Sequence, residues 1–173
     1  DWFLTPGLRY DRFDLSPRAD ALFPGRAVAL SDSRVTPKLA LRWRASPALS
    51  LYAHWAEGFR APTPDQVNNG FSNLFSPGAA YVSIGNPELD PETSRTLEIG
   101  ARGQTGSLRW AVAAFDGRYR DFIEQVTVGG TGSAADPLRF QFINLGEVRI
   151  RGVEGRIAWR ASPAWRFEAA YAQ

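Results

Sequence analysis

The chain has no cysteine and a single histidine in 173 residues. Without thiols there is no disulfide, no thiolate zinc site and no Cys nucleophile. One imidazole, His54, leaves no visible nucleophile–base pair. Methionine is absent too, and the opening at Asp1 shows neither a basic n-region nor an apolar h-region. The sequence is therefore expected to be a mature chain or a piece of a longer one. Long apolar runs are missing: the mean hydropathy of −0.27 is too polar for helical membrane spans. Charge of either sign is not in excess, with 20 Lys and Arg against 18 Asp and Glu and a net charge of +2. The pI near 9.3 thus describes a nearly balanced chain, and nucleic acid is not implied as a partner. No Gly-rich phosphate loop follows a strand, no cluster with metal-ligand spacing is visible, and the carboxylates are scattered, so no enzymatic activity is expected.

What the chain does have is aromatic residues, 13% of the total with six Trp and eleven Phe, and a strict period of two. From Val35 to Trp43 the odd positions read Val, Pro, Leu, Leu, Trp, while the even ones to Arg44 read Thr, Lys, Ala, Arg, Arg. Leu49, Leu51, Ala53 and Trp55 alternate with Ser50, Tyr52, His54 and Ala56; Leu97 and Ile99 alternate with Glu98; Leu108, Trp110, Val112 and Ala114 alternate with Arg109, Ala111 and Ala113. Ile157 and Trp159, then Trp165, Phe167 and Tyr171, continue the rule. This predicts about seven strands, near 7–15, 34–45, 48–60, 92–103, 106–125, 138–161 and 164–173. The phase slips between Ile150 and Val153, which predicts a β-bulge at Arg151-Gly152.

Connections alternate in length. Residues 16–33, 61–91 and 126–137 are long links rich in Gly, Pro, Ser, Asn and Asp, whereas Ser46-Pro47, Gly103 to Gly106 and Ser162-Pro163 are tight turns. Long loops alternating with short turns, and Trp43, Trp110, Trp159 and Trp165 close to the short turns, fit an all-β, antiparallel transmembrane barrel segment with extracellular loops, periplasmic turns and an aromatic girdle in outer-membrane lipid. The repeated Trp-Arg-Ala-Ser-Pro-Ala at 43–48 and 159–164 reads as one interfacial turn used twice. A soluble sandwich also alternates, but the 106–125 and 138–161 segments are far longer than its usual strands. On this reading Asp14, Asp116 and Glu154 belong to a charged lumen wall with Arg42, Arg102 and Arg109.

Two boxes flank the longest loop: Gly58-Phe59-Arg60-Ala61-Pro62 and Asn86-Pro87-Glu88-Leu89-Asp90-Pro91-Glu92. Pro62, Pro64, Pro87 and Pro91 fix φ and remove donors, which stiffens the feet of the loop, and Arg60 and Glu92 are placed to meet across its mouth. Arg60 is also a candidate ligand contact, since its guanidinium matches a carboxylate or phosphate bidentately. Between the boxes Phe71, Leu74, Phe75 and Tyr81 offer either a loop-packing cluster or a surface for a flat apolar ligand.

These boxes, with the strand Leu97-Glu98-Ile99-Gly100 and the later Asn144-to-Gly155 segment, resemble TonB-dependent outer-membrane receptors, and within them the haem and haemoglobin receptors through Ala61 to Phe71. The resemblance implies a location in the outer membrane of a Gram-negative bacterium and a plugged barrel of roughly 22 strands. Residues 1–173 would be part of one such barrel domain, without its plug. It further implies capture of haem, a haem protein or a ferric siderophore, and import energised by the TonB complex acting through the plug. Haem would be cargo rather than a permanent cofactor. The family's loop His has no counterpart in 63–85, which leaves Tyr81, whose phenolate can ligate haem iron, and the lumen-side His54 as candidates. A siderophore or cobalamin receptor, or a passive porin-like barrel, are the alternatives.

Overall fold

The computed structural model describes residues 1–18, 28–75 and 79–173. Its elements are β1 (Trp2–Leu15), β2 (Leu30–Ser46), β3 (Leu49–Arg60), α1 (Pro64–Asn68), β4 (Ser72–Asn73), β5 (Tyr81–Ile84), β6 (Glu92–Thr105), β7 (Leu108–Gly129), β8 (Leu138–Arg160) and β9 (Arg166–Ala172). All belong to one curled sheet except α1, in the order β1-β2-β3-β6-β7-β8-β5-β4, with β9 pairing the lower part of the same edge of β8 that β5 joins at its upper end. The long strands are antiparallel to their neighbours, while β5 runs parallel to β8. Seven strands carry the wall; β4 and β5 are short additions from the long loop. Strand edges extend beyond the sequence reading, since β1 starts at Trp2, β2 at Leu30 and β7 ends at Gly129. The first long link thereby shrinks, and its residues 19–27 lie outside the described ones.

Directly paired residues share a face of a sheet. One outward row is therefore Leu41, Ala53, Ile99, Ala114 and Val153, and the next is Trp43, Leu51, Ala101 and Val112. The large side chains of these rows stay exposed, Ile99 to 55%. The arrangement is stable only against lipid, because burial of such a face removes roughly 25 cal/mol per Å² of apolar area from water. Towards the short turns Trp43 stacks on Trp2 at 5.4 Å, and Phe167 stacks on both Trp159 (5.8 Å) and Trp165 (6.2 Å). The repeated turn closes alike in both copies, with the Ala48 and Ala164 amides donating to Ser46 Oγ (3.2 Å) and Ser162 Oγ (3.3 Å). The third turn uses Gly106 at φ +56°, a left-handed conformation that glycine adopts at little cost.

Two expectations are corrected. Pairing of β7 with β8 runs without a break from Leu108–Trp159 to Arg120–Glu147, so there is no bulge at Arg151-Gly152. Gly152 instead lies opposite Phe115, where a Cβ would come 2.8 Å from Phe115 Cζ. Ile150 and Val148 keep the lumen-side parity; the register shifts fall at Arg44/Ser46 and Thr127/Gly129. Second, Asp116 is on the outward face with Leu97, and Asp14 has the outward parity of Trp2 and Leu4. Glu154, opposite Ala113, has the lumen-side parity. Both corrections have one cause: beyond the apolar band the outward positions become charged, so the polarity rule read from the lower strand reverses.

Candidate functional site

The buried side chains gather at the long-loop end. Among the described residues Val67, Ala80, Leu89 and Ile123 are the buried hydrophobic ones, with Leu89 3% exposed. This small core exists because the loop folds back on the wall. Pro64 opens α1 as its first residue, where the missing N–H has no helical partner to lose, and Gln66 Oε1 accepts from the Thr63 amide at 2.9 Å. Asn69 then turns the chain: its Oδ1 accepts from the Phe71 amide, its backbone carbonyl from the Gly85 amide, and its Nδ2 donates to Ser83 Oγ. On the far side the Ala80 amide donates to Gly132 O and the Leu138 amide to Ala80 O, leading into the parallel pair of β5 with β8.

Both boxes sit at the feet of this structure. Gly58, Phe59 and Arg60 end β3, Ala61 and buried Pro62 leave it, and Pro87-Glu88 form a turn whose Glu88 amide donates to Asn86 Oδ1 at 3.0 Å. Asn86 Nδ2 donates to Phe142 O, and its amide to Gln66 O, both at 2.9 Å. Pro91 precedes β6, which begins at Glu92. Arg60 and Glu92 meet fork to fork, Nε to Oε2 and Nη2 to Oε1, both at 2.5 Å, and Oε1 also accepts the Ile123 amide at 2.7 Å. The pair lies well beyond the apolar band, whose last outward row is Leu39, Trp55 and Leu97. The Arg60 fork holds the Glu92 carboxyl below the usual carboxylate range against the opposing effect of burial, assisted by the Ile123 amide. Nη1 is the part of the Arg60 fork not engaged by Glu92.

A residue that the residue-by-residue reading passed over completes the clasp. Asn144 accepts the Asp90 amide at 2.9 Å and donates Nδ2 to Asp90 O (2.9 Å) and Asp121 O (2.7 Å). Asp121 is at φ +57°, and the Asn144 amide secures the carbonyl of that turn. The one advance signal was the Asn preceding the Gly-Val-Glu strand; its three bonds join segments more than twenty residues apart, which no local pattern reveals.

Of the predicted contact residues, Phe71 and Tyr81 come together with ring centroids 5.8 Å apart. Tyr81 continues edge-on to Phe140 at 5.9 Å, a partner the sequence did not single out. Phe71 is 56% and Phe75 95% exposed. Arg60 stands near the level of Asn144, which along β8 is roughly 20 Å short of the Tyr81–Leu138 pair, at ~3.3 Å per residue. His54 is lower still. It pairs with Ala40 and Glu98 and lines a lumen-side recess with Phe3, Thr5, Arg42 and Tyr52. Its row reaches β8 at Gly152, about 45 Å of strand from Leu138, so His54 and Tyr81 do not address one ligand atom together.

Against this geometry the comparisons are direct. The family model described as "TonB dependent receptor-like, beta-barrel" matches residues 1–173. The chain belongs to the TonB-dependent receptor family, and it is barrel wall of the Gram-negative outer membrane. It is similar to hemoglobin-haptoglobin utilization protein B of Neisseria meningitidis, 26% identical over 94% of this chain and 19% of the relative. It is also similar to the vitamin B12 transporter BtuB of Vibrio vulnificus, 30% identical over 76% of this chain and 20% of that protein. The fold matches a double mutant of the Serratia marcescens hemophore receptor HasR, solved with its hemophore HasA and heme. The TM-score is 0.70 at 20% identity, covering 99% of this chain and 29% of that one. The chain thus spans about a fifth of the length of the curated relatives it matches.

Proposed function

We propose that the receptor takes haem, free or delivered by a haem protein, and that the loop between the two boxes makes the first contact. The observation that carries this reading is the run of Phe71, Tyr81 and Phe140 at the rim of the wall, with Phe75 exposed on the same loop. A flat apolar ring system gains most from offset or edge-on aromatic contacts of this kind. The haemoglobin-haptoglobin relative supports the same cargo. Residues 1–173 form part of one receptor barrel. Transport follows the scheme of the family, with a plug domain in the lumen displaced by the TonB complex and the cargo passing the charged inner wall. The chain transports and performs no catalysis. The box residues Gly58 to Pro62 and Asn86 to Glu92 serve to hold the loop, while Phe71, Phe75 and Tyr81 contact the ligand, with Arg60 Nη1 free for a propionate. His54, deep on the lumen wall, is a candidate contact only for cargo already in transit.

Titration of the full-length receptor with hemin, followed by its Soret band, tests this. Saturable binding that is weakened in Phe71→Ala, and a Soret maximum shifted in Tyr81→Phe, is the expected result. Cobalamin or a ferric siderophore binding more tightly than hemin would replace haem as the cargo, a second reading favoured by the vitamin B12 transporter among the relatives.

A further inference from the structure

The outward face changes character part of the way up the wall. Leu97 pairs with Asp116, which pairs with Arg151; two residues further from the short turns Arg95 pairs with Arg118, which pairs with Arg149; two more on, Thr93 pairs with Arg120, which pairs with Glu147. Three guanidinium groups therefore stand side by side in a single row, directly above exposed Leu97 and Ile99 on the same face. Like charges directly opposite one another destabilise a sheet, so the row is not explained by the wall's own folding. Glu57 relieves Arg95 at 2.9 Å, and Asp116 relieves Arg149 with two bonds of 2.9 and 2.5 Å. Among the described residues Arg118, between them, has no carboxylate within ion-pair distance.

β2 leaves β3 beyond the Lys38–Ala56 pair. A recess of about 280 Å³ opens there, lined by Arg34 and buried Thr36 from β2 and by Arg95, Arg118 and Arg120, with Glu57 as its one carboxylate. On the outward face Arg95, Arg118 and Arg120 stand with Glu57, and Glu147 pairs Arg120 at 3.6 Å; Arg34 and Thr36, of lumen-side parity on β2, border the recess where β2 and β3 part, and the apolar wall of Leu97 and Ile99 lies directly below the arginine row.

We propose that this recess binds the phosphate of an anionic lipid of the outer leaflet, whose acyl chains run down over Leu97 and Ile99. A guanidinium fork matches phosphate oxygens geometrically, and a lipid phosphate sits at the depth where the acyl region gives way to head groups. The apolar surface immediately below selects a lipid over free phosphate, which has no use for it. The arginine row faces away from the proposed cargo path and does not depend on which cargo is carried.

The test uses the delipidated full-length receptor in a neutral detergent, titrated by native mass spectrometry with diphosphoryl lipid A, its dephosphorylated counterpart, and inorganic phosphate. The expected result is retention of the diphosphoryl lipid, at least tenfold weaker in Arg118→Ala/Arg120→Ala, with Arg166→Ala at the short-turn end unchanged. Arg118→Gln gives a second reading that leaves most of the side-chain volume in place, and removing one of three adjacent like charges does not threaten the fold. Equal retention of the dephosphorylated lipid, or equal binding by the variants, overturns the proposal. So does inorganic phosphate occupying the site at the concentrations at which the lipid does.

Discussion

The feet and the crown of the long loop are built by opposite rules. At the feet, Arg60, Asn86, Glu92 and Asn144 direct their polar atoms at one another and at backbone groups, around buried Leu89 and Val67. At the crown, Phe71 and Phe75 are presented to solvent on either side of β4, which β5 joins to β8. The difference teaches that the boxes mark where the loop is fixed, and under the proposed function ligand selection falls to the segment between them. Sequence motifs of this kind identify the class of receptor more readily than its cargo.

The contrast breaks most visibly at Asn144. Asn144→Ala removes three hydrogen bonds of about 1 kcal/mol each. Amide exchange in the peptides containing Asp90 and Asp121 should then quicken on the order of 100-fold in the full-length receptor, and unchanged protection would mean that the clasp holds nothing. Glu92→Ala strips the Ile123 amide of its acceptor as well as releasing Arg60. Because Arg60 is half exposed, most of the effect comes from the orphaned amide, about 1–2 kcal/mol, or a 5- to 30-fold faster exchange at Ile123. Phe71→Ala reverses the pattern: hemin affinity should fall about tenfold while exchange at the feet stays as in the parent. Acid separates the regions again. The folded Glu92 carboxyl titrates below its unfolded value, so its contribution is full above the ordinary carboxylate range near pH ~4.3 and is lost as pH falls through the lower, folded value. Exchange at Ile123 should therefore accelerate at acid pH in the parent and be less pH-dependent in Glu92→Ala. The smallest effect is expected for His54→Ala, within about twofold on hemin affinity at the loop, because so much strand separates it from Tyr81.

Much of the wall was legible because alternation over ten or more residues leaves no other way to divide Leu51, Ala53 and Trp55 from Tyr52 and His54. The meeting of Arg60 with Glu92 was legible too, since the boxes end and begin paired strands. The loop's own strands were not: β4 and β5 have two and four residues, too few to show a period, and the parallel pairing of β5 depends on a strand more than fifty residues later. Asp116 and Ile150 were misread for a different reason. A strand that rises out of the membrane obeys two polarity rules in succession, and sequence alone does not mark the height at which one replaces the other.

Each ladder of the wall joins strands that are neighbours in wall order, and the short turns, two closed by serine and one by Gly106, let a hairpin finish using only its own residues. The pair of β5 with β8 is the exception, because its partner is laid down after two further long strands. Contacts of low sequence separation form before those that must close a long loop. Assembly therefore has a direction: the wall grows hairpin by hairpin, and the surface offered to the outside takes shape after the strands that carry it.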